Sequence, residues 1–267
     1  LKCPDCIKGE IKKAAAKLGK GVIAIDGYVT APFELLAKLA EEAVKEAGIK
    51  AQVVCTRTLA KPAAELDPIV REYLPEDRVK DPVLLYGKIW DKGYHGLMDA
   101  GKVSALTEKA KAFDGITIIV GNGALSEDLI GLAGYRIFAD ITPKQAVLNV
   151  KKGGYCNYGV DEPLPFKIAM RRNYYFDFDL SFSLRKKLLE TNGFDLYIAA
   201  DDPESLKAMP FATMKALLTR ATDYPFRCRP VYLEGVWGGY FTMKERNLPK
   251  EMKNAAWIFD LIPMEVS

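Results

Sequence analysis

The chain has 267 residues, of which 49% are hydrophobic and 27% are charged. This composition is typical of a globular protein with a buried core, and it excludes a disordered chain or a fibrous repeat. The 38 Lys and Arg residues against 35 Asp and Glu residues leave a net charge of +3, far from the basic footprint of nucleic-acid-binding proteins. We therefore expect no nucleic acid among its partners.

The sequence gives no sign of a membrane segment, since no apolar stretch reaches the roughly 18 residues of a spanning helix. The N-terminus carries charged residues where a secretory signal would have an apolar core. These observations predict no membrane partner and a cytoplasmic location. The five cysteines are an odd number in a chain too long to depend on a disulfide framework, which predicts reduced thiols.

Histidine and cysteine are too sparse for a metal site. Cys3 and Cys6 have the spacing of half a zinc site, but no second such pair follows. The single histidine, His95, lies in a predicted loop between glycines. The sequence therefore predicts no metal site built from histidine and cysteine.

Short β-branched segments alternate with longer amphipathic segments, which is the pattern of a parallel sheet covered by helices. Helices are predicted at 7–18, 30–46, 103–113, from 126, from 143, at 180–190 and at 206–220. Strands are predicted at 22–26, 51–56, 82–86, 116–120, 135–140 and 194–200, with weaker candidates at 229–233 and 257–262.

This pattern predicts a three-layer α/β fold, a mostly parallel sheet with helices on both faces, of the P-loop-kinase-like or Rossmann-like type. Residues 1–20 are predicted to form an N-terminal helical extension and residues 21–267 a single α/β domain. Within that domain, residues 21–150 form a regular half. Residues 151–267 form a less regular half that is rich in aromatic and basic residues.

In an open parallel sheet, ligands bind outside the carboxyl ends of the strands. Charged, small or polar residues follow the predicted strands at that edge and are our candidate ligand-binding residues: Asp26, Gly27, Arg57, Lys88, Gly121, Asn122, Gly123 and Asp140. Three of them are also candidates for catalysis, Asp26 and Asp140 as a base or as Mg²⁺ ligands and Lys88 as a phosphate contact. The expected partner is a small phosphorylated ligand.

A Walker A phosphate loop needs a glycine-rich turn and a lysine between the first strand and the next helix. The segment 26–32 has one glycine and no lysine, and Glu34 would oppose a phosphate at the start of that helix. The turn at 121–123 is a better anion nest, although Glu127 and Asp128 follow it. Mg²⁺ with a nucleotide is the one cofactor that these residues suggest.

Basic and aromatic residues are interleaved between 151 and 187. Such a pattern can bind single-stranded nucleic acid. The low net charge instead favours a packed aromatic cluster in which Arg171 and Arg172 face a phosphate group, and we add both to the candidate ligand-binding residues.

Four sequence segments carry a resemblance to a known family. They are the tripeptide Phe138-Ala139-Asp140 and the segments NYGVD at 157–161, RNYYFDF at 172–178 and EGVWGG at 234–239. In this order they resemble the portion that precedes the catalytic cupin in certain long bacterial class I mannose-6-phosphate isomerases. That portion is itself similar to a uridine-kinase-like P-loop domain with a degenerate phosphate loop. The resemblance covers residues 20–267.

The chain departs from the family pattern in two ways. Gln145 and Asn149 stand where an acidic and a basic residue are expected. The isomerase reaction belongs to a cupin zinc site with His, Gln and Glu ligands, whereas this chain has one histidine and ends before a cupin would begin. The resemblance thus implies kinship with the isomerase, without its metal site in this chain.

Three hypotheses for function follow. The first is an accessory domain that binds a phosphosugar or a nucleotide at the strand ends. The second is a phosphotransferase, similar to a nucleoside or sugar kinase, with a degenerate phosphate loop. The third is a structural module that docks on a cupin isomerase domain or on a second copy of the chain through residues 236–241 and the C-terminal strand.

Overall fold

The computed structural model describes residues 4–74, 88–223, 227–234 and 253–260, the last two segments as backbone only. Its helices are α1 Pro4–Leu18, α2 Phe33–Glu46, α3 Ala63–Arg71, α4 Ala100–Ala112, α5 Pro143–Lys152, α6 Phe166–Arg172, α7 Phe178–Glu190 and α8 Phe211–Ala221. Its strands are β1 Gly21–Gly27, β2 Ala51–Cys55, β3 Ile116–Val120, β4 Tyr135–Asp140, β5 Leu196–Ala199, β6 Lys207–Pro210, β7 Arg227–Glu234 and β8 Lys253–Asp260. The predicted strand at 82–86 lies outside the described residues.

Six strands form one sheet in the order β2-β3-β1-β4-β5-β6. The first five are parallel, and β6 lies antiparallel to β5 at the edge. The chain crosses the sheet in one direction from β1 to β2 and in the other from β2 to β3. Right-handed crossovers therefore place α2 and α4 on opposite faces. The predicted three-layer, mostly parallel α/β fold is confirmed.

The core explains why β1 occupies the centre of the sheet. Its residues from 22 to 27 are buried, as expected of a parallel strand that is covered on both faces. On one face, Ile23 and Ile25 pack with Leu36 and Val44 of α2, which lie on one side of that helix, and with Ile11 of α1. The predicted N-terminal helix thus contributes to the same core as the sheet.

The chain divides into two compact units, Leu1–Phe211 and Ala212–Ser267. The first contains the six-stranded sheet. In the second, β7 and β8 form an antiparallel pair, so the weaker strands predicted from residues 229 and 257 are present. The predicted division into residues 1–20 and residues 21–267 stays a prediction.

Some element boundaries differ from the predicted ones. The helix predicted at 206–220 begins at Phe211, because residues 207–210 form β6 and pair with β5. The helices α3 and α6 are not predicted by the sequence, since each is short and follows a proline that indicates a loop. The prediction of reduced thiols is wrong for Cys6, which is disulfide-bonded, whereas Cys55 and Cys156 are free.

Candidate ligand-binding crevice

A cavity of about 530 Å³ lies where β1, β2 and β3 end. We call it the crevice. Its lining comes from the loop and first turn after β1, from the end of β2 and the turn after it, from the turn after β3 and from residues 154–159. The strands β1 and β3 are neighbours, but the chain leads from β1 to β2 towards one edge of the sheet and from β3 to β4 towards the other. The crevice therefore lies at the topological switch point, as expected for a ligand site in an open α/β sheet.

Asp26, at the end of β1, is fully buried and holds two strand-end turns together. One carboxylate oxygen accepts hydrogen bonds from the backbone N–H groups of Gly27 (2.7 Å) and Gly123 (3.3 Å), and the other accepts one from Leu125 (2.7 Å). Burial raises the pKa of Asp26 to about 7, although these hydrogen bonds oppose the shift. The nest after β3 is therefore filled by a carboxylate of the protein itself.

The loop between β1 and α2 stands where a P-loop would cradle phosphate, and several of the backbone N–H groups along it are already used. Backbone N–H groups along it donate to acceptors within the protein at Gly27, Tyr28, Ala31 and Phe33. Pro32, between Ala31 and Phe33, has no N–H group. The side chains of Tyr28, Val29 and Ala31 are buried. A phosphate needs several converging N–H groups, so this loop does not provide a Walker-type cradle.

Two close approaches fix the geometry of the strand ends. A Cβ atom at Gly27 would clash with the carbonyl oxygen of Ala139, and one at Gly121 would clash with the hydroxyl of Thr56. The side-chain amide of Asn122 donates to the carbonyl oxygen of Gly27 (2.9 Å), which joins the loops after β1 and β3. Glycine is therefore required at both positions by the packing of neighbouring segments.

Thr30 lines the crevice in an unusual backbone conformation. Its φ of 68° lies in the left-handed region, which costs a β-branched residue about 1–2 kcal/mol. Its hydroxyl accepts a hydrogen bond from the side chain of Asn149 (3.3 Å), which in turn accepts one from Gln145 (2.9 Å). Strained residues of this kind cluster at functional sites.

The wall opposite α2 is built from residues 154–159 and rests on a buried polar network. The amide of Asn157 donates to the carbonyl oxygen of Ala169 and to the side chains of Asn173 and Asp177. The hydroxyl of Tyr155 lies 3.0 Å from the Asn173 oxygen and 3.1 Å from the Asp177 carboxylate. Burial raises the pKa of Asp177, while the charge of Arg172 opposes the shift. These hydrogen bonds hold the wall rigid.

A π-helical turn, Asn173–Asp177, supplies the acceptors of this network. It connects α6 to α7 and buries Asn173, Tyr175, Phe176 and Asp177. The wider turn carries an extra residue compared with an α-helix, and π-bulges are frequently found at functional sites. Here it directs both Asn173 and Asp177 towards the wall of the crevice.

The crevice has largely apolar walls with a few polar groups and little charge. Among the described lining residues, charge comes from Arg57 and Glu34, both exposed. The guanidinium group of Arg57 donates to the backbone carbonyl oxygens of Val160 and Asp161, which ties β2 to the opposite wall. Hydroxyl and amide groups and the thiols of Cys55 and Cys156 complete the polar lining. The crevice can hydrogen-bond a small polar molecule and meet one negative charge.

The structure gathers some of the predicted site residues and disperses others. Arg57, Gly121 and Asn122 line the crevice, and Asp26, Gly27 and Gly123 lie in the hydrogen-bonded turns behind it. The remaining candidates, Lys88, Asp140, Arg171 and Arg172, are not among its lining residues.

Each of these four has other surroundings. Lys88 is exposed, and its ammonium nitrogen lies 3.3 Å from Glu72. Asp140 forms an ion pair with Arg185 (2.9 Å) and accepts a hydrogen bond from Tyr197 (3.1 Å). Arg171 and Arg172 line a separate cavity between α3 and α6.

The prediction missed several lining residues, among them Thr30, Cys55, Tyr155 and Asn157. Thr30 lies in the segment 26–32, which lacks the lysine and the glycines of a phosphate loop. The sequence therefore offers no reason to name Thr30 as a ligand contact. Tyr155 and Asn157 lie in a segment without periodic apolar residues, so the sequence contains no pattern that places them at the strand ends.

Within the described segments, no group of three or more His, Cys, Asp or Glu side chains is placed to hold a metal ion. Across that same part of the chain, every helix is too short or too polar to cross a membrane. Residues 236–241, the predicted docking surface, lie outside the described residues.

The model of one family, a domain of unknown function (DUF8485), matches residues 5–223. Among curated proteins, none matches the sequence.

Solved structures similar to the chain include three kinases. A putative fructose transport system kinase from Silicibacter sp. TM1040 is 15% identical over 67% of this chain and 94% of its own, with a TM-score of 0.46. A possible uridine kinase from Bacillus stearothermophilus is 14% identical over 64% of this chain and 92% of its own, with a TM-score of 0.32. Phosphoribulokinase from Rhodobacter spheroides is 10% identical over 75% of this chain and 85% of its own, with a TM-score of 0.40.

Proposed function

The chain belongs to the DUF8485 family, and we propose that it is a ligand-binding domain that holds a small phosphorylated or hydroxyl-rich molecule in the crevice without transferring a phosphoryl group. One observation carries the proposal. A cavity of about 530 Å³ stands at the switch point of the sheet, while several N–H groups of the adjoining loop after β1 are bonded within the protein and the loop has no lysine.

The polar groups in the lining support a ligand with hydroxyl groups or a single phosphate over a polyphosphate. Asn122 and Thr30 present an amide and a hydroxyl, and Arg57 can meet a single anionic group. A triphosphate normally requires a Mg²⁺ ion, a lysine and a glycine-rich loop together. The segment that follows β1 supplies neither the lysine nor the glycines.

A thermal-shift screen tests the proposal, because a ligand that binds the folded state raises its unfolding midpoint. The panel is mannose 6-phosphate, fructose 6-phosphate, uridine, UTP and ATP, each with and without Mg²⁺. We expect a sugar phosphate or the nucleoside to raise the midpoint and the triphosphates to leave it unchanged. If no compound of the panel shifts the midpoint, the proposal is contradicted.

A matched pair of variants places the ligand. Cys55 is exposed at the end of β2 and lines the crevice, so Cys55→Trp should fill the cavity at little cost in stability. Val53 is exposed on the same face of the same strand but is not a lining residue. We expect Cys55→Trp to abolish the ligand-induced shift and Val53→Trp to retain it. A shift that survives in Cys55→Trp would place the ligand elsewhere.

A phosphotransferase is the second candidate function. The observation in its favour is the P-loop-kinase-like strand order, which puts the crevice at the loop between β1 and the following helix, where P-loop proteins bind phosphate. Hydrolysis of ATP, or transfer of its terminal phosphate to a compound of the panel, would favour this candidate. Lys88→Ala is a useful control, since Lys88 lies beside Glu72 and is not a lining residue of the crevice, which predicts no effect on such turnover.

We also propose that this domain is related to the portion that precedes the cupin in long mannose-6-phosphate isomerases. A cupin isomerase domain or a second copy of the chain would then be a partner. Analytical ultracentrifugation of the chain, alone and mixed with a cupin isomerase domain, tests this part. A cytoplasmic location is proposed as well, and cell fractionation tests it.

A further inference from the structure

Asp26 fastens the turn after β3, residues 121–125, to the end of β1. Its Oδ2 accepts a hydrogen bond from the backbone N–H group of Leu125 (2.7 Å), and its Oδ1 accepts one from that of Gly123 (3.3 Å). The first two residues of the same turn line the crevice. A buried carboxyl group is therefore connected to the wall of the crevice through one short turn.

The two sides of this attachment are held with different firmness. On the β1 side, Gly27 pairs with Ala139 of β4, and the two are packed too closely to admit a Cβ atom at Gly27. On the other side, the turn is joined to β1 by a backbone hydrogen bond at its first residue and by the side chain of Asn122. Both hydrogen bonds from residues 123–125 to β1 end on Asp26. A change at Asp26 therefore acts on the turn and leaves β1 in place.

A proton on Asp26 cannot leave all of its hydrogen bonds intact. A carboxylate is an acceptor at both oxygens, whereas the protonated acid carries an O–H donor on one of them. Oδ1 accepts two hydrogen bonds and Oδ2 accepts one, so we expect the proton on Oδ2, where it faces the N–H group of Leu125. Burial penalises the charged form and raises the pKa of Asp26 to about 7. The clamped, ionised form and the protonated form are therefore closely balanced near neutral pH.

The titratable groups that face Asp26 are the phenols of Tyr94, which packs against the turn, and of Tyr158, from the wall opposite α2. Burial raises the pKa of both phenols, so neither carries a charge at neutral pH. Beyond the turn, the exposed side chain of His95 lies 3.8 Å from Asp128. The charge that changes inside the turn near neutral pH is thus that of Asp26.

We propose that Asp26 is a proton-controlled latch on the crevice. When Asp26 is ionised, it fastens the turn after β3 to β1. When it takes a proton from the solvent, it releases the Leu125 end of the turn, and the lining residues Gly121 and Asn122 shift with it. The crevice then has two shapes whose proportion follows the pH. The latch goes beyond the proposed function, since it belongs to the fold whether or not a ligand binds in the crevice.

NMR spectroscopy of the isotope-labelled chain, without any ligand, tests the latch from about pH 5 to about pH 9. The carboxyl carbon of Asp26 reports its protonation, the amide signals of Gly123 and Leu125 report the hydrogen bonds, and the signals of Gly121 and Asn122 report the lining. We expect all of them to titrate with one midpoint at about pH 7, with the largest amide shift at Leu125. Asp26→Asn should abolish the titration of the turn. If that variant does not fold, the carboxyl carbon of the parent chain still identifies the titrating group.

Two other groups near the turn are controlled separately. His95→Gln is the matched variant, because histidine ordinarily changes charge in this pH range, and it should leave the titration in place. The backbone N–H group of Tyr158 donates to Asp177 (3.3 Å), so its signal follows that buried carboxyl group. An Asp26 carboxyl carbon that titrates while the signals of the lining stay constant would overturn the latch. So would a carboxyl carbon that does not titrate in this range, or turn signals that follow His95 or Asp177 instead.

Discussion

Replacing Asp26 by asparagine should change how the stability of the protein depends on pH. Asp26 is fully buried, and its carboxylate accepts hydrogen bonds from three backbone N–H groups. Burial raises its pKa from 3.8 to about 7. The folded protein therefore binds this proton more tightly than the unfolded chain does, and the resulting stabilisation is full below about pH 4 and is lost as the pH rises through 7.

The magnitude follows from the size of the pKa rise. A rise from 3.8 to about 7 corresponds to about 4 kcal/mol of unfolding free energy in total, at about 1.4 kcal/mol for each unit. About 3 kcal/mol of this falls between pH 5 and pH 8. Asparagine does not titrate, so the free energy of unfolding of Asp26→Asn lacks this slope. In Asp26→Asn the side-chain NH₂ group also faces the Leu125 N–H group, so two donors oppose each other. This lowers the free energy of unfolding by about 1–3 kcal/mol at every pH.

Urea unfolding followed by circular dichroism at pH 5, 6, 7 and 8 gives the free energy of unfolding of both proteins. We expect the stability of the parent chain relative to Asp26→Asn to fall by about 3 kcal/mol from pH 5 to pH 8. Asp114→Asn is the control. Because the Asp114 side chain is 88% exposed, the difference in stability between the parent chain and this variant should not change with pH. A difference between the parent and Asp26→Asn that does not change with pH would refute the reasoning.

Three further substitutions test the architecture of the crevice. Gly27→Ala should cost about 1–3 kcal/mol of stability, because its Cβ would clash with the carbonyl oxygen of Ala139; unchanged urea unfolding would contradict the packing described. Thr30→Gly should leave stability unchanged or raise it by up to about 1 kcal/mol, because it removes a left-handed threonine, and a marked fall in the thermal midpoint would show that the residue is not strained. Asn157→Ala should cost about 1–3 kcal/mol, because it removes an amide donor from a buried network and leaves Asn173 and one Asp177 oxygen to share the single Tyr155 hydroxyl donor; a loss below about 0.5 kcal/mol would mean that the network does not support the wall.

The sequence predicts the sheet and the location of the crevice because both depend on local patterns. Strands β1, β3 and β4 are short runs rich in apolar and β-branched residues that end in Gly27, Val120 and Asp140. Parallel strands bring such ends to one edge of the sheet. Arg57 and Asn122 follow directly from this rule, and both line the crevice.

The role of Asp26 could not be predicted in this way. The carboxylate oxygens of Asp26 accept hydrogen bonds from the backbone N–H groups of Gly123 and Leu125, which lie 97 and 99 residues further along the chain. A strand-end aspartate looks the same in sequence whether it faces a ligand or seals a neighbouring turn. Burial and hydrogen-bond direction decide between the two, and both are properties of tertiary packing.

The arginines of α6 show a second limit. Their place in a basic and aromatic segment correctly indicates a packed cluster, since Arg172 lies against Phe176. The choice of cavity depends on α3, a short helix with an internal proline that the sequence does not reveal. Lys88 likewise was assigned to the sheet edge through the predicted strand at 82–86, and its contact with Glu72 could not be foreseen.

The central claim, that the crevice is the ligand site, is tested most directly by the reactivity of Cys55. This free thiol is exposed and lines the cavity, so a molecule bound there must cover it. Alkylation of the Cys55 peptide is followed by mass spectrometry with and without the compound that raises the thermal midpoint. The account predicts that the compound slows alkylation of Cys55 by about tenfold at saturation. An unchanged alkylation rate at saturating ligand would contradict it.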